Sequence, residues 1–301
     1  MSANKMHDDQ IDINIPLVRR LLTAQFPQWA HLPLKPVPSH GTANAIYRLG
    51  NDMAVRLPLI HWATGQVDKE HEWLPKIASF LPLAIPVPLA MGQPGENYPW
   101  HWSVYQWLEG EEASIERMGN PRQAALDLAH FMMALQQIDI TDAPHDSSRG
   151  EPLARRDMET RKAITSLANM IDSDAMTAVW DAAIEAPVWH RPPVWIHGDL
   201  KPGNLLAVGG RLSAVIDFGG LGVGDPACDV MAAWLFLSAE TRDVFRTALQ
   251  VDDATWARGR GWALSVGVIA LPYYQSTNPG FAKIAQHAIV ETITDYSRSS
   301  C

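Results

Sequence analysis

Trp195-Ile196-His197-Gly198-Asp199-Leu200-Lys201-Pro202-Gly203-Asn204-Leu205-Leu206, followed by Ala214-Val215-Ile216-Asp217-Phe218-Gly219, is the stretch on which the fold turns. An apolar strand, 194–197, delivers the Asp199 carboxylate into a loop that returns the Asn204 amide five residues later. A second apolar strand, 214–217, delivers Asp217 and is followed by a glycine in the next residue but one. Gly-Asp and Pro-Gly-Asn are each ordinary turn formers. Their combination, in this order between two strands, is not.

Carboxylate and amide oxygens from adjacent loops are hard ligands of the kind Mg²⁺ takes, with water and phosphate completing its shell. Phosphoryl transfer asks little covalent chemistry of a protein. It needs a metal to neutralise phosphate charge and a carboxylate to orient and deprotonate the attacking hydroxyl. Asp199, Asn204 and Asp217 are suited to that chemistry.

Working outward, residues 13–30 carry apolar side chains at helical spacing and predict an opening helix. The period then changes. Residues 34–37, 45–49 and 53–57 read as short strands, separated by Ser39-His40-Gly41-Thr42 and Gly50-Asn51-Asp52, both good turn chemistry. A helix is predicted over 66–80, an extended segment punctuated by Pro82, Pro86 and Pro88 follows, and 101–108 reads as a strand rich in aromatic and β-branched residues. Glu109-Gly110-Glu111-Glu112 breaks the pattern, and helical periodicity dominates beyond it, over 124–138, 157–171, 230–248, 254–271 and 280–297. The expected order is a β-rich region, a hinge, and a helical region with an inserted hairpin.

Composition narrows the possibilities. At 301 residues with 47% hydrophobic and 19% charged, the chain can bury a large core or split into two lobes. A net charge of −9 argues against nucleic acid as a partner, since phosphate backbones are gripped by basic stripes. The two cysteines, Cys228 and Cys301, make no disulfide framework and no metal-ligand spacing. The N-terminal decapeptide is polar and lacks the apolar run of a signal peptide, and no apolar run is long enough to span a bilayer. A cytoplasmic protein without membrane partners is expected.

Here the sequence resembles the aminoglycoside phosphotransferase family, small-molecule relatives of protein kinases, over nearly the whole chain. The family's H-G-D-x-x-x-x-N loop stands as His197 to Asn204, and its G-D-P-x-x-D segment as Gly224-Asp225-Pro226-Ala227-Cys228-Asp229. The resemblance implies an α+β, two-lobed, protein-kinase-like fold: a small antiparallel-sheet N-lobe over 1–108 and a mainly helical C-lobe over 109–301. It also implies that Asp199 is the catalytic carboxylate, that Asn204 and Asp217 bind Mg²⁺, and that ATP or GTP donates the phosphate. His197 would hold the loop, and Asp229 would brace it. Arg56 stands where kinases carry a phosphate-binding lysine, although the two side chains are not interchangeable. Its expected helix partner is Glu70, which shares the inward face of Trp73 and Leu74, rather than Glu72. Ser39 to Asn44 looks like the family's shorter phosphate loop, with Thr42 near the phosphates. Tyr105 to Gly110 matches the hinge, where the backbones of Gln106 and Leu108 would meet the purine ring.

The acceptor is less legible. A small-molecule hydroxyl is implied, by family resemblance that of an aminoglycoside antibiotic. Polyammonium acceptors call for clustered carboxylates, and Asp229, Glu240, Asp243 and Glu291 are the candidates. The aromatic tail, with Trp234, Trp256, Trp262, Tyr273 and Tyr274, suits an apolar acceptor such as a macrolide sugar instead, or packs the core. A metabolic kinase of the same fold, acting on choline, homoserine or a ketosamine, and a kinase-like binding module without catalysis are the alternatives.

Overall fold

The computed structural model describes residues 10–37, 43–144 and 148–299. The chain forms two compact units, one made of the residues up to Ser79 with Ala84–Glu109 and Ala214–Gly219, the other of Phe80–Leu83, Gly110–Ser213 and Gly220 onward.

The first unit opens with α1 (Ile15–Gln25), whose N-cap Asn14 accepts a hydrogen bond from Leu17 N at 3.0 Å. The helix stops five residues short of the expected 30. Pro27 disfavours helical backbone at Phe26, and no helix resumes after it. Five antiparallel strands follow, β1 (Leu34–Pro36), β2 (Asn44–Leu49), β3 (Met53–Pro58), β4 (Pro88–Gly92) and β5 (Trp102–Gln106), in the order β1-β2-β3-β5-β4. Strand β4 was expected only as an extended segment. It lies at the sheet edge, where a leading proline removes no interior ladder bond. Helix α2 (Gly65–Ile77) follows β3 and buries Val67, Glu70, Trp73, Leu74 and Ile77.

The core of this unit packs Leu17, Val18, Leu21 and Leu22 of α1 against Leu49, Val55, Leu57, Trp102 and Val104 of the sheet. Gly92 stands opposite Trp102, and a Cβ there would fall 1.9 Å from the indole, so no larger residue fits. Residues 214–219 join this unit because Ala84 bridges Ala214 and accepts a hydrogen bond from Val215 N at 2.9 Å.

The second unit is mainly helical. It begins with the short strand β6 (Glu111–Glu112) and α3 (Pro121–Gln136), capped by Asn120. The helix expected over 157–171 ends five residues early, as α4 (Asp157–Ser166), and beyond a turn an unexpected helix follows, α5 (Ser173–Glu185), whose cap Asp172 accepts from Asp174 N and Ala175 N. Four strands follow: β7 (Val194–Ile196), β8 (Leu205–Val208), β9 (Arg211–Val215) and β10 (Gly222–Gly224). The two strands expected to frame the central loop are not partners. Strand β7 pairs antiparallel with β10, while β8 and β9 are neighbours in a sheet with β6. Gly209 and Gly210 between β8 and β9 both have positive φ, the conformation that closes a two-residue hairpin.

Two single-turn helices, α6 (Ala227–Val230) and α7 (Ala232–Leu235), then precede α8 (Ala239–Leu249), α9 (Asp253–Tyr274) and α10 (Pro279–Ser299). Helix α9 is buried along most of its length, including Trp256 and Trp262. Among the described residues no helix is long and apolar enough to cross a membrane.

Candidate active site

In the second unit, β7 ends at Ile196 and the chain turns through His197, fully buried, and Gly198. Gly198 has φ +82°, and a Cβ there would lie 2.5 Å from Gly220 O. The turn is braced by Asp229, 1% exposed, whose carboxylate oxygens accept from His197 N and Gly198 N at 2.7 Å each. Burial raises the Asp229 pKa to about 6, against the pull of these two N–H donors. Asp229→Ala would orphan both buried N–H groups, at about 1–3 kcal/mol each. A melting temperature several degrees lower is expected by calorimetry, with wild-type stability excluding the bracing role.

Asp199 follows, its N–H donating to His197 Nδ1 at 3.2 Å. The Asn204 side-chain nitrogen donates to Asp199 O at 2.8 Å and to Asp199 Oδ2 at 2.9 Å. Two cations flank the carboxylate. Lys201 Nζ forms an ion pair with Asp199 Oδ2, and Arg149 Nη2 lies 3.7 Å from Oδ1. Burial pushes the Asp199 pKa up, but Lys201, then Arg149 and His197, outweigh it, so the carboxyl is held below its usual range.

Neither Lys201 nor Arg149 stood out in the sequence. Arg149 belongs to a single turn, Ser148–Gly150, that carries no periodic signal. Gly150 and Gly224 place it: a Cβ on Gly150 would lie 2.4 Å from Val223 O, and one on Gly224 would lie 2.3 Å from Gly150. Two glycines thus let the Arg149 turn lie directly on β10.

In the first unit, Arg56 of β3 is 11% exposed and its Nη1 donates to both Glu70 oxygens at 2.6 Å. Glu70 also accepts from the Tyr105 hydroxyl. Arg56 Nη2 donates to Asp217 Oδ1 at 3.0 Å and to Gln66 Oε1 at 3.2 Å. Burial lowers the Arg56 pKa, but Glu70 and Asp217 reverse the sign and hold the guanidinium charged. Glu72 instead pairs with Lys76 at the surface. Asp217 adopts φ +65°, a strained left-handed conformation for a non-glycine residue and one concentrated at functional sites. At the expected hinge, Gln106 N donates to Val87 O at 2.9 Å and Trp107 N to Asp52 O at 2.7 Å. Leu108 is half-buried. Thr42 lies outside the described residues.

The structure therefore joins Arg56, Glu70 and Asp217 in one unit, and Asp199 and Asn204 in the other. The proposed acceptor carboxylates do not cluster. Asp229 serves the loop, Glu291 pairs with the buried Arg242, and Glu240 and Asp243 stand exposed on α8. Trp234, Trp256 and Trp262 are core residues, at most 6% exposed.

Residues 34–262 match the model of the phosphotransferase enzyme family, APH. The chain belongs to that family. This APH-family phosphotransferase has the α+β architecture of its solved relatives, an antiparallel-sheet N-terminal region and a helical C-terminal region. It is similar to wild-type aminoglycoside 2'-phosphotransferase-IIIa, solved as its GDP complex, with TM-score 0.76 and 18% identity over 94% of this chain and 100% of that one. It is also similar to APH(2")-IIa in its streptomycin–ATP ternary complex, with TM-score 0.60 and 17% identity over 86% and 91% of the two chains. A third similar structure is macrolide 2'-phosphotransferase MphH from Brachybacterium faecium, with TM-score 0.58 and 17% identity over 90% and 98%. No curated protein matches the chain in sequence.

Among the described residues no three His, Cys, Asp or Glu side chains cluster as a cage for a metal ion. Magnesium is bound through one or two carboxylates plus substrate phosphate rather than by such cages. The Asp217 carboxylate and the Asn204 amide, one in each unit, each carry a hard oxygen of the kind magnesium takes.

Proposed function

We propose that this phosphotransferase moves the γ-phosphate of ATP or GTP to a hydroxyl of a small molecule, with Asp199 as catalytic carboxylate. The observation that carries the reading is the Asp199 loop itself. Its backbone is pinned by Asp229 and its carboxylate is fixed by Asn204, Lys201 and Arg149. So held, Asp199 stays ionised at neutral pH and accepts a hydrogen bond from the acceptor hydroxyl. A carboxylate with a lowered pKa is a weak base, so its main contribution is to orient that hydroxyl and receive its proton as the new O–P bond forms.

Mg²⁺, when bound, would neutralise charge on the transferred phosphate. Asn204 and Asp217 would hold it, and Arg56 orients Asp217 for that purpose. Because the Gln106 N–H is committed to Val87, purine recognition would fall to the Gln106 carbonyl and the Leu108 amide. Asp217→Ala should leave the fold intact and weaken magnesium-dependent nucleotide binding at least about tenfold, a typical cost of losing one metal-site partner. Titration calorimetry with Mg-ATP and Mg-GTP measures this, and unchanged affinity would remove Asp217 from the metal site.

The acceptor reading is tested by phosphate transfer from both nucleotides to aminoglycosides, macrolides and metabolic alcohols. Similar solved structures carry names of both antibiotic classes, which keeps a macrolide hydroxyl beside the aminoglycoside reading. Absence of both turnover and nucleotide binding would favour a non-catalytic module.

A further inference from the structure

Arg149 and Arg156 lie over the same indole ring. Their guanidinium carbons are 5.8 and 5.0 Å from the Trp262 ring centroid. Trp262 is 1% exposed, and its Nε1 has no hydrogen-bond partner among the described residues. Arg156 is anchored by one bond, Nε to Ser265 Oγ at 2.8 Å, and Ser265 is itself held by Thr160 at 2.8 Å. No carboxylate of the described residues comes within ion-pair distance of Arg156.

Arg156 thus lacks a paired acid. Burial and then Arg149 pull the Arg156 pKa down to about 10, against the opposing pull of Glu159. Elsewhere in this unit the more deeply buried arginines are matched by acids, Arg242 by Glu291 and Asp295, Arg258 by Asp225, Arg260 by Asp295, whereas half-buried Arg156 has none. Two guanidiniums gathered on one ring, with a single fixing hydrogen bond on Arg156, are donors suited to an anion. Arg149 also lies 3.7 Å from Asp199, so this donor set adjoins the catalytic carboxylate.

We propose that Arg149 and Arg156, gathered on Trp262, hold an acidic group, carboxylate or phosphate, of the hydroxyl compound presented to Asp199. The inference rests on the phosphotransfer reading of Asp199 and narrows its acceptor. A compact acceptor would place its hydroxyl at Asp199 and its acid at Arg156, with Arg149 within reach of both. A polyammonium acceptor is disfavoured at the same place, because it would meet Lys201, Arg149 and Arg156 together.

Matched pairs provide the test: glycerate against glyceramide, and glucose 6-phosphate against glucose, with kanamycin as the polycation. Binding to wild-type protein is measured by calorimetry, and transfer from Mg-ATP and Mg-GTP by phosphate-transfer assay. At least one acid should bind about tenfold or more tighter than its neutral partner, the expected scale for charge-assisted hydrogen bonds. The carboxylate and phosphate arms tell which acid is preferred. Arg156→Gln should erase the preference through KM more than kcat, and Arg156→Lys should keep part of it. Equal binding of acid and neutral partners, no binding by either, preferential binding of kanamycin, or a preference that survives Arg156→Gln overturns the proposal. Should Arg156→Gln not fold, the wild-type pairs and Arg156→Lys decide. Acid binding without nucleotide binding or hydrolysis would strike the phosphotransfer reading and leave the anion site standing.

Discussion

Asp199→Asn should fold, bind nucleotide and lose at least about a hundredfold in kcat, equivalent to about 2.7 kcal/mol of transition-state stabilisation. Asparagine fills the same volume. Its oxygen, in the place of Oδ2, can still accept from Asn204 and Lys201, but its amide nitrogen cannot take a proton and would face Arg149 with a partial positive charge. The bracing bonds from Asp229 go to the backbone of His197 and Gly198, so they survive the change. Stability near wild type with collapsed turnover is therefore the diagnostic pair. Thermal melts, nucleotide calorimetry and steady-state transfer kinetics measure it, and near-wild-type kcat would sink the assignment.

Arg56→Met is expected to have a large effect on stability. Glu70 is 1% exposed and receives Arg56 and Tyr105 on its two oxygens. Removing the guanidinium leaves a buried carboxylate whose remaining described partner is a phenol. Breaking one side of such a pair costs about 3–5 kcal/mol, mostly because the other charge stays buried. Replacing both partners with apolar residues is far milder. The double variant Arg56→Met with Glu70→Leu should thus recover much of the stability lost by the single one, without recovering activity. Denaturant unfolding reads the difference. A single variant as stable as wild type would show that this pair contributes little.

Much of this was legible in the sequence because it is local. The spacing from His197 to Asn204 specifies a loop that folds on itself, with Asn204 bonded to Asp199 across five residues. The choice of Glu70 over Glu72 followed from helical geometry, since Glu70 shares a face with Trp73 and Leu74. What stayed hidden depends on distant pairing. The partner of β7 is β10, whose residues Gly222–Gly224 carry no strand signature of their own. Arg149 reaches Asp199 only because Gly150 meets Gly224, a contact between segments far apart in the chain. The early end of α1 was visible at Pro27 and was overridden by the apolar spacing beyond it. Helix α5, which went unexpected, was signalled by Asp172, a good N-cap just beyond the expected helix.

The segment 214–219 belongs by its contacts to the unit formed by the beginning of the chain. Order of synthesis and order of completion therefore differ. Domains tend to fold as the ribosome releases them, N-terminal first. Here the nascent sheet emerges with Arg56 and Glu70 already able to pair, while Ala84 and the second half of the Arg56 network await a partner not yet translated. The early unit remains unfinished until residue 219 has left the ribosome. A truncated transcript ending before Ala214 would yield a sheet with an unfilled seam at Ala84, a species that quality-control proteases should clear quickly.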